Sequence, residues 1–307
     1  PDLADRIEAF SLNVIEPNIL DWERQHKTSR LVFEEAAKYE LLGLETPVSE
    51  NGLGAPFSDK MLMAREMSKT SMAVAFSLIN SQNVAARLAT SETVRHRTDI
   101  APLIRSGDLV GCTALTEPGA GSDFAAITTR AEKISEGWKI NGHKAWITNA
   151  AQTDIIMLYA QTDPAKGWKG IASFLIDARR DGFERGKIYD LIGGHAIGAG
   201  EFTLKDYIVP DEDMLAPPGE AFKIAMTGIN GARTYVAAMC AGMISDALDK
   251  AISYGKQRQS FGKPIIEHQG LKWSLADVAL KLECLDLLTR KAARSIDAGE
   301  DAVLSPA

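Results

Sequence analysis

The chain has 307 residues, 45% of them hydrophobic and 24% charged, which suits a globular protein with room for two domains or one large one and excludes disorder as its main state. With 25 Gly and 3 Cys it is neither collagen-like nor a disulfide scaffold. Lys and Arg number 34 against 41 Asp and Glu, a net charge of −7, which makes nucleic acid and anionic membranes poor partners.

Residues Asp2–Gly107 read as helices. Leu3–Val14, Arg30–Tyr39 and Ser58–Ser68 space apolar residues three or four apart among charges. Gly-rich breaks such as Glu50-Asn51-Gly52-Leu53-Gly54 separate them. Ser71–Ala86 has almost no charge and predicts a buried helix. Residues Leu109–Asp213 read as strands. Asn141-Gly142, between Trp138–Ile140 and His143–Thr148, predicts a hairpin with a type I′ turn. Asp154–Ala160 and Gly170–Ile176 are rich in β-branched residues and bounded by turn clusters. Residues Gly219–Ala298 return to helix, with Leu271, Leu275, Val278, Leu282 and Leu285 on one stripe suited to core packing in a bundle. The fold class predicted is multi-domain α+β: an N-terminal helical domain (1–108), a middle antiparallel β domain (109–215) and a C-terminal helical domain (216–307), the two helical zones packing together.

The cysteines Cys112, Cys240 and Cys284 are far apart without a CxxC, and read as reduced core residues. The histidines His26, His96, His143, His195 and His268 are scattered without HExxH spacing, so no metal is expected. The longest apolar run, Tyr235–Ile244, is about half the ~20 residues of a membrane span. The first residues carry no signal-peptide pattern, although a chain starting at Pro1 leaves processing open.

Three segments carry chemistry. In Leu115-Thr116-Glu117-Pro118-Gly119-Ala120-Gly121-Ser122-Asp123 the glycines uncover backbone amides for an anionic group, with hydroxyls at Thr116 and Ser122 beside them. Taken alone, Gly119-Ala120-Gly121 reads better as a surface loop built from turn residues. In Lys144-Ala145-Trp146-Ile147-Thr148-Asn149, strand alternation predicts Trp146 and Thr148 on one face, a flat ring beside a hydroxyl for a planar heteroaromatic ligand. A strand with one buried Trp is the plainer reading of that pair. Arg258-Gln259-Ser260-Phe261-Gly262-Lys263-Pro264 offers a forked donor suited to pyrophosphate, or simply a charged inter-helical turn.

Together, in this order and in a helix–strand–helix frame, these segments resemble the acyl-CoA dehydrogenase family over nearly the whole chain. The resemblance implies FAD, with Leu115 and Thr116 at the pyrimidine end of the flavin, Ser122 at the pyrophosphate, Trp146 against the isoalloxazine, and the Thr148 hydroxyl on flavin N5. Arg258, Ser260, Phe261 and Gln269 match positions holding the ADP half of a neighbouring subunit's FAD, which implies a homo-oligomer, a dimer of dimers. On the substrate side it implies Ser122, Asn230 and Arg233, with Arg233 near the CoA adenine. The implied reaction is α,β-dehydrogenation of an acyl-CoA thioester, hydride going to flavin N5 and electrons to an electron-transferring flavoprotein. A bacterial cytoplasm is implied, or the mitochondrial matrix if the source is eukaryotic.

The chain departs from the family pattern at several points. The usual glutamate base of a C-terminal helical segment is not present, and its alternative position, before the arginine of the family's FDxxR stretch, is Ala232. The catalytic residue is therefore unassigned. The aspartate expected in that stretch is Asn230, which can still hydrogen-bond but carries no charge. The linker Ile192–Gly198 lacks the usual Arg-x-Ser pattern, and a later Gln-x-x-Gly-Gly stretch is absent. The expectation is that further C-terminal helices belong beyond Ala307. Glu117 and Glu283 read as a loop-bonding residue and a solvated or paired charge. Two other readings stay open: a same-fold flavin oxidase or monooxygenase, and a non-catalytic flavin- or acyl-CoA-binding homologue.

Overall fold

The computed structural model describes residues 2–300; Pro1 and residues 301–307, the end of the expected C-terminal domain, lie outside the described residues. The chain opens with α1 (Leu3–Phe10), α2 (Ile19–Gln25), α3 (Leu31–Lys38), α4 (Phe57–Met67), α5 (Met72–Ala89) and α6 (Ala101–Arg105). Asp2 and Asp5 close a reciprocal capping box on α1, and the Ser71 hydroxyl accepts from the Val74 amide at the start of α5. Helix α5 is buried nearly all round because it has partners on two sides. Val74, Leu78 and Ile79 enter a helical core with Phe10, Phe33 and Met63. Val84, Ala85 and Leu88 pack with Ile104, Ile155 and Leu175, reaching the strand region. This double burial accounts for its nearly uncharged sequence.

The strands are β1 (Gly111–Ala114), β2 (Arg130–Ile134), β3 (Gly137–Ile147), β4 (Ile155–Gln161), β5 (Ile171–Asp177), β6 (Phe183–Ile188), β7 (Gly200–Val209) and β8 (Met214–Ala216). Their order is β6-β7-β3-β2-β4-β5-β8, with β1 beside β4. Pairing is antiparallel except for β1–β4 and a short β2–β4 contact, which are parallel.

The expected turn at Asn141-Gly142 does not form; β3 runs straight through it. Ile140 pairs with Tyr207 and Gly142 with Leu204, so two steps on β3 face three on β7. The extra residue, Asp206, takes φ +47° and exchanges hydrogen bonds with the Asn141 side chain. Gly142 is required by close approach: a Cβ there would lie 2.4 Å from Thr129 Oγ1. The hairpin lies one strand earlier, between β2 and β3.

After the sheet come α7 (Ala221–Gln257), a small hairpin of β9 (Gln259–Ser260) and β10 (Lys263–Pro264), and α8 (Gln269–Asp297). Helices α7 and α8 pack on each other and on α4, so the two helical parts of the chain do come together. Gly242 of α7 meets α4 backbone to backbone; a Cβ there would lie 2.0 Å from the Arg65 carbonyl oxygen. Arg65 donates to both oxygens of Asp286 at 2.7 and 2.8 Å, and Asp297 accepts from the Phe57 and Ser58 amides at the start of α4. The α8 stripe is only half covered: Leu271, Leu275, Leu282 and Leu285 are half-buried and Val278 is exposed. Trp273, Leu280, Leu287 and Leu288 on the same helix are exposed too. Cys112 is buried and Cys240 half-buried, but Cys284 is exposed, which corrects the reading of three core cysteines: its helix face is uncovered. Among the described residues no helix is long and apolar enough to cross a membrane.

Candidate active site

The loop Leu115–Asp123 leaves the end of β1 and is fixed by one buried ion pair. Glu117 turns inward, and its oxygens accept from the Thr128 amide (2.7 Å), the Thr128 hydroxyl (2.7 Å) and the Thr129 amide (2.9 Å). Lys144, wholly buried on β3, donates to Glu117 (2.9 Å) and to the Leu115 carbonyl (2.9 Å). Burial alone would raise the Glu117 carboxyl, but the Lys144 ammonium and the threonine donors outweigh it and hold the group at about 2. Burial pushes the Lys144 ammonium down to about 8, against the attraction of Glu117. The Ala145 amide donates to the Thr116 carbonyl (3.0 Å), so the loop and the Lys144–Asn149 segment form one unit. Glu117 is thus a loop-bonding residue, as its sequence position suggests.

Trp146 and Thr148 are not set by strand alternation. Lys144 pairs with Phe202 and Ile147 with Gly200, so β3 carries an extra residue, and Trp146 takes φ +60°. Thr148 starts a turn and is half-buried. The bulge pushes the indole outward, 60% exposed, where it stacks on Tyr189 at 4.2 Å. The plain reading of a buried Trp is therefore excluded, and a flat aromatic surface faces outward beside the Gly-rich loop. Asn149 anchors the unit to α5: its side chain bonds the Ser77 hydroxyl and donates to the Ser77 and Gly111 carbonyls.

At Gly119 and Gly121 nothing lies within 4 Å of where a Cβ would sit, and Ser122 is exposed. Open glycines, an outward indole and a free hydroxyl fit the pyrophosphate and ring of an FAD. A cavity of about 840 Å³ opens between α4, α5, β1, β4 and the first half of α7. Leu115 forms part of its wall and links the cavity to the loop. Asn80, Asn83 and Arg87, one face of α5, line it as well. Their role is not marked in the sequence, where the only signal is three polar residues three and four apart in a helix with little charge.

Asn230 lines the cavity and accepts from Arg233 (3.0 Å), one turn on; Arg233 itself is exposed and outside the cavity wall. Arg258, Ser260 and Phe261 lie on the hairpin that follows α7, and Gln269 is the first residue of α8. Phe261 is 95% exposed at φ +51°, and Arg258 makes no ion pair among the described residues. Their surroundings are the ends of α7 and α8: His268 lies 3.3 Å from the Ser260 carbonyl and edge-on to Phe261. The structure groups these four residues but does not bring them to the 115–123 loop of the same chain. Glu283 is exposed on α8, and Glu300 is the one carboxylate in the cavity wall among the described residues.

Helices flanking a mostly antiparallel sheet, with a clamped Gly-rich loop and a cavity beside it, suit a flavin-dependent oxidoreductase. Family descriptions agree along the chain: acyl-CoA dehydrogenase N-terminal domain at residues 2–108, middle domain at 112–207 and C-terminal domain at 219–307. The chain belongs to the acyl-CoA dehydrogenase family, FAD-dependent oxidoreductases. It is 32% identical to the mitochondrial short-chain specific acyl-CoA dehydrogenase of Mus musculus, over 92% of this chain and 69% of that protein. Butyryl-CoA dehydrogenase from Megasphaera elsdenii has a structure that superposes with a TM-score of 0.93 at 29% identity, covering 99% of this chain and 81% of that one. A chain in a structural study of the electron transferring flavoprotein of Acidaminococcus fermentans and flavin-based bifurcation superposes at 0.94 with 30% identity, covering 99% and 80%. The chain spans about two thirds of the length of the curated relatives it matches.

Proposed function

We propose that this chain carries the flavin and acyl sites of an enzyme that dehydrogenates an acyl-CoA thioester between Cα and Cβ, with an electron-transferring flavoprotein as electron acceptor. The observation that carries this reading is the clamped 115–123 loop with Leu115 in the wall of the 840 Å³ cavity. When bound, FAD accepts the β-hydride and passes the electrons on. The chain's own residues bind and orient. Thr116 and the Leu115 backbone meet the pyrimidine end, Ser122 and the amides of Gly119–Gly121 meet the pyrophosphate, and Trp146 walls the ring. Thr148 is assigned the hydrogen bond to N5, which orients the ring toward the acyl chain. Asn230, with Arg233 held one turn away, is assigned to the CoA side. Arg258, Ser260, Phe261 and Gln269 are assigned to the FAD of a second copy, since among the described residues no hydrogen bond ties them to their own 115–123 loop. Polarising the thioester carbonyl acidifies the α-proton; the base that takes it is not assigned to any described residue.

One relative marks the range of chemistry near this sequence: acryloyl-CoA reductase (NADH) of Anaerotignum propionicum is 31% identical over 93% of this chain. The carbon-chain chemistry is the same in either direction. An anaerobic titration with short acyl-CoA esters and with the matching enoyl-CoA tests the proposal. Loss of flavin absorbance with one ester supports it. Fast reoxidation by air with hydroxylated substrate would favour an oxygen-using relative instead.

A further inference from the structure

Sequence spacing points to no metal, yet the fold gathers three ligating side chains from distant positions at one place outside the flavin site. We propose that His26, Asp190 and His195 form a binding site for a divalent transition-metal ion of the Zn2+ type. His26 ends α2 in the left-handed conformation, φ +56°. Asp190 and His195 lie in the linker between β6 and β7, the stretch whose Gly-rich sequence lacks the usual Arg-x-Ser pattern. One donor atom from each lies within 4.8 Å of the other two. Asp190 Oδ1 is 3.2 Å from His195 Nε2 and 4.0 Å from His26 Nε2. A tetrahedral set with bonds of about 2.0–2.2 Å places its donors roughly 3.3–3.6 Å apart, so small side-chain rotations complete the set. The two imidazole rings are 4.5 Å apart and tilted by 31°, so they lie side by side.

Two imidazoles and one carboxylate suit Zn2+ or its neighbours with a water in the fourth position; Mg2+ and Ca2+ prefer oxygen. The ring of His195 is already oriented by a second carboxylate. Glu23 Oε2 lies 3.3 Å from His195 Nδ1. Glu23 is itself held by the amides of His195 (2.8 Å) and Ala196 (3.2 Å). This is the carboxylate–histidine–metal arrangement, which leaves Nε2 as the ligand. Nε2 lies 2.6 Å from the Leu191 carbonyl. A cation at Nε2 takes the place of that contact.

Such an ion staples α2 to the linker. The linker is tied to the flavin unit: Asn149 and Ala151 amides donate to the Ile197 and Gly198 carbonyls, and Tyr189, next to Asp190, stacks on Trp146. The ion's role is structural, holding the helical part against the wall on which Trp146 rests.

Isothermal titration of the FAD-loaded protein with ZnCl2 alone tests this, together with the melting temperature at each zinc concentration. The expected result is one Zn2+ per chain and a rise in melting temperature. His195→Gln and His26→Gln should each weaken zinc binding at least about tenfold, and Glu23→Gln about tenfold with the stoichiometry kept. Asp190→Asn, at a side chain 84% exposed, serves where a histidine variant fails to fold; it too should lower affinity. The proposal is overturned by absence of both heat and thermal shift. It is equally overturned by zinc binding that the Asp190 and histidine substitutions leave unchanged, which would place the ion elsewhere.

Discussion

Lys144 and Glu117 form the residue pair on which the loop geometry depends. Glu117→Gln leaves a buried ammonium without its counter-charge, so unfolding stability should fall by about 3–5 kcal/mol, measured by urea denaturation. The carboxyl sits at about 2 in the fold against an ordinary 4.5. A depressed carboxyl stabilises the fold fully above about pH 4.5, and that contribution is lost as pH falls toward 2. Denaturation midpoints should therefore drop more steeply between pH 5 and 3 in the parent than in Glu117→Gln; parallel curves would contradict the clamp. Gly119 gives a complementary test. A methyl there meets nothing within 4 Å, so Gly119→Ala should leave the melting temperature unchanged while weakening FAD binding by about tenfold or more, roughly 1.4 kcal/mol. At this scale the loop motif was legible because glycines, hydroxyls and a tryptophan have few joint uses. The placement of Trp146 was not. Strand alternation assumes regular pairing, and one inserted residue before Ile147 turned the indole outward.

Between elements, two polar anchors hold the parts together. Asn149 at φ +63° satisfies two carbonyls and a hydroxyl between α5 and β1. Asn149→Ala would leave those groups unpaired in a buried place and should cost about 3 kcal/mol or more. The bidentate Arg65–Asp286 pair joins α4 to α8. Asp286→Ala should cost about 2–4 kcal/mol and loosen α8 first, seen as faster hydrogen exchange in residues 269–297 than in the sheet. Equal protection in both regions would contradict it. Helix type was readable wherever periodicity ran long, as in α4, α5 and α8. The Asn141-Gly142 turn was misread because local turn preference yielded to pairing with β7, where Asp206 took the irregular conformation. Glycine served close approach to Thr129 there, a demand that no local pattern reveals.

For the whole molecule, the hairpin carrying Arg258, Ser260 and Phe261 sits between α7 and α8 with Phe261 almost fully exposed. If it serves a second copy, Arg258→Ala should weaken FAD binding without lowering the melting temperature of the FAD-free protein, and FAD loading should depend on protein concentration. The helix–strand–helix order is legible from apolar periodicity and turn signals. The clustering of His26 with Asp190 and His195 was not, because residues more than 160 positions apart meet only once α2 packs on the linker. The account's central claim is that the clamped loop and the cavity beside it hold a flavin that an acyl-CoA thioester reduces. The most direct measurement is the flavin absorbance of the purified, FAD-loaded protein during anaerobic addition of acyl-CoA esters of increasing chain length. Bleaching by at least one ester is expected, abolished when Thr116, Trp146 and Thr148 are replaced together. A flavin that stays oxidised with every ester, in protein shown to bind them, would contradict it.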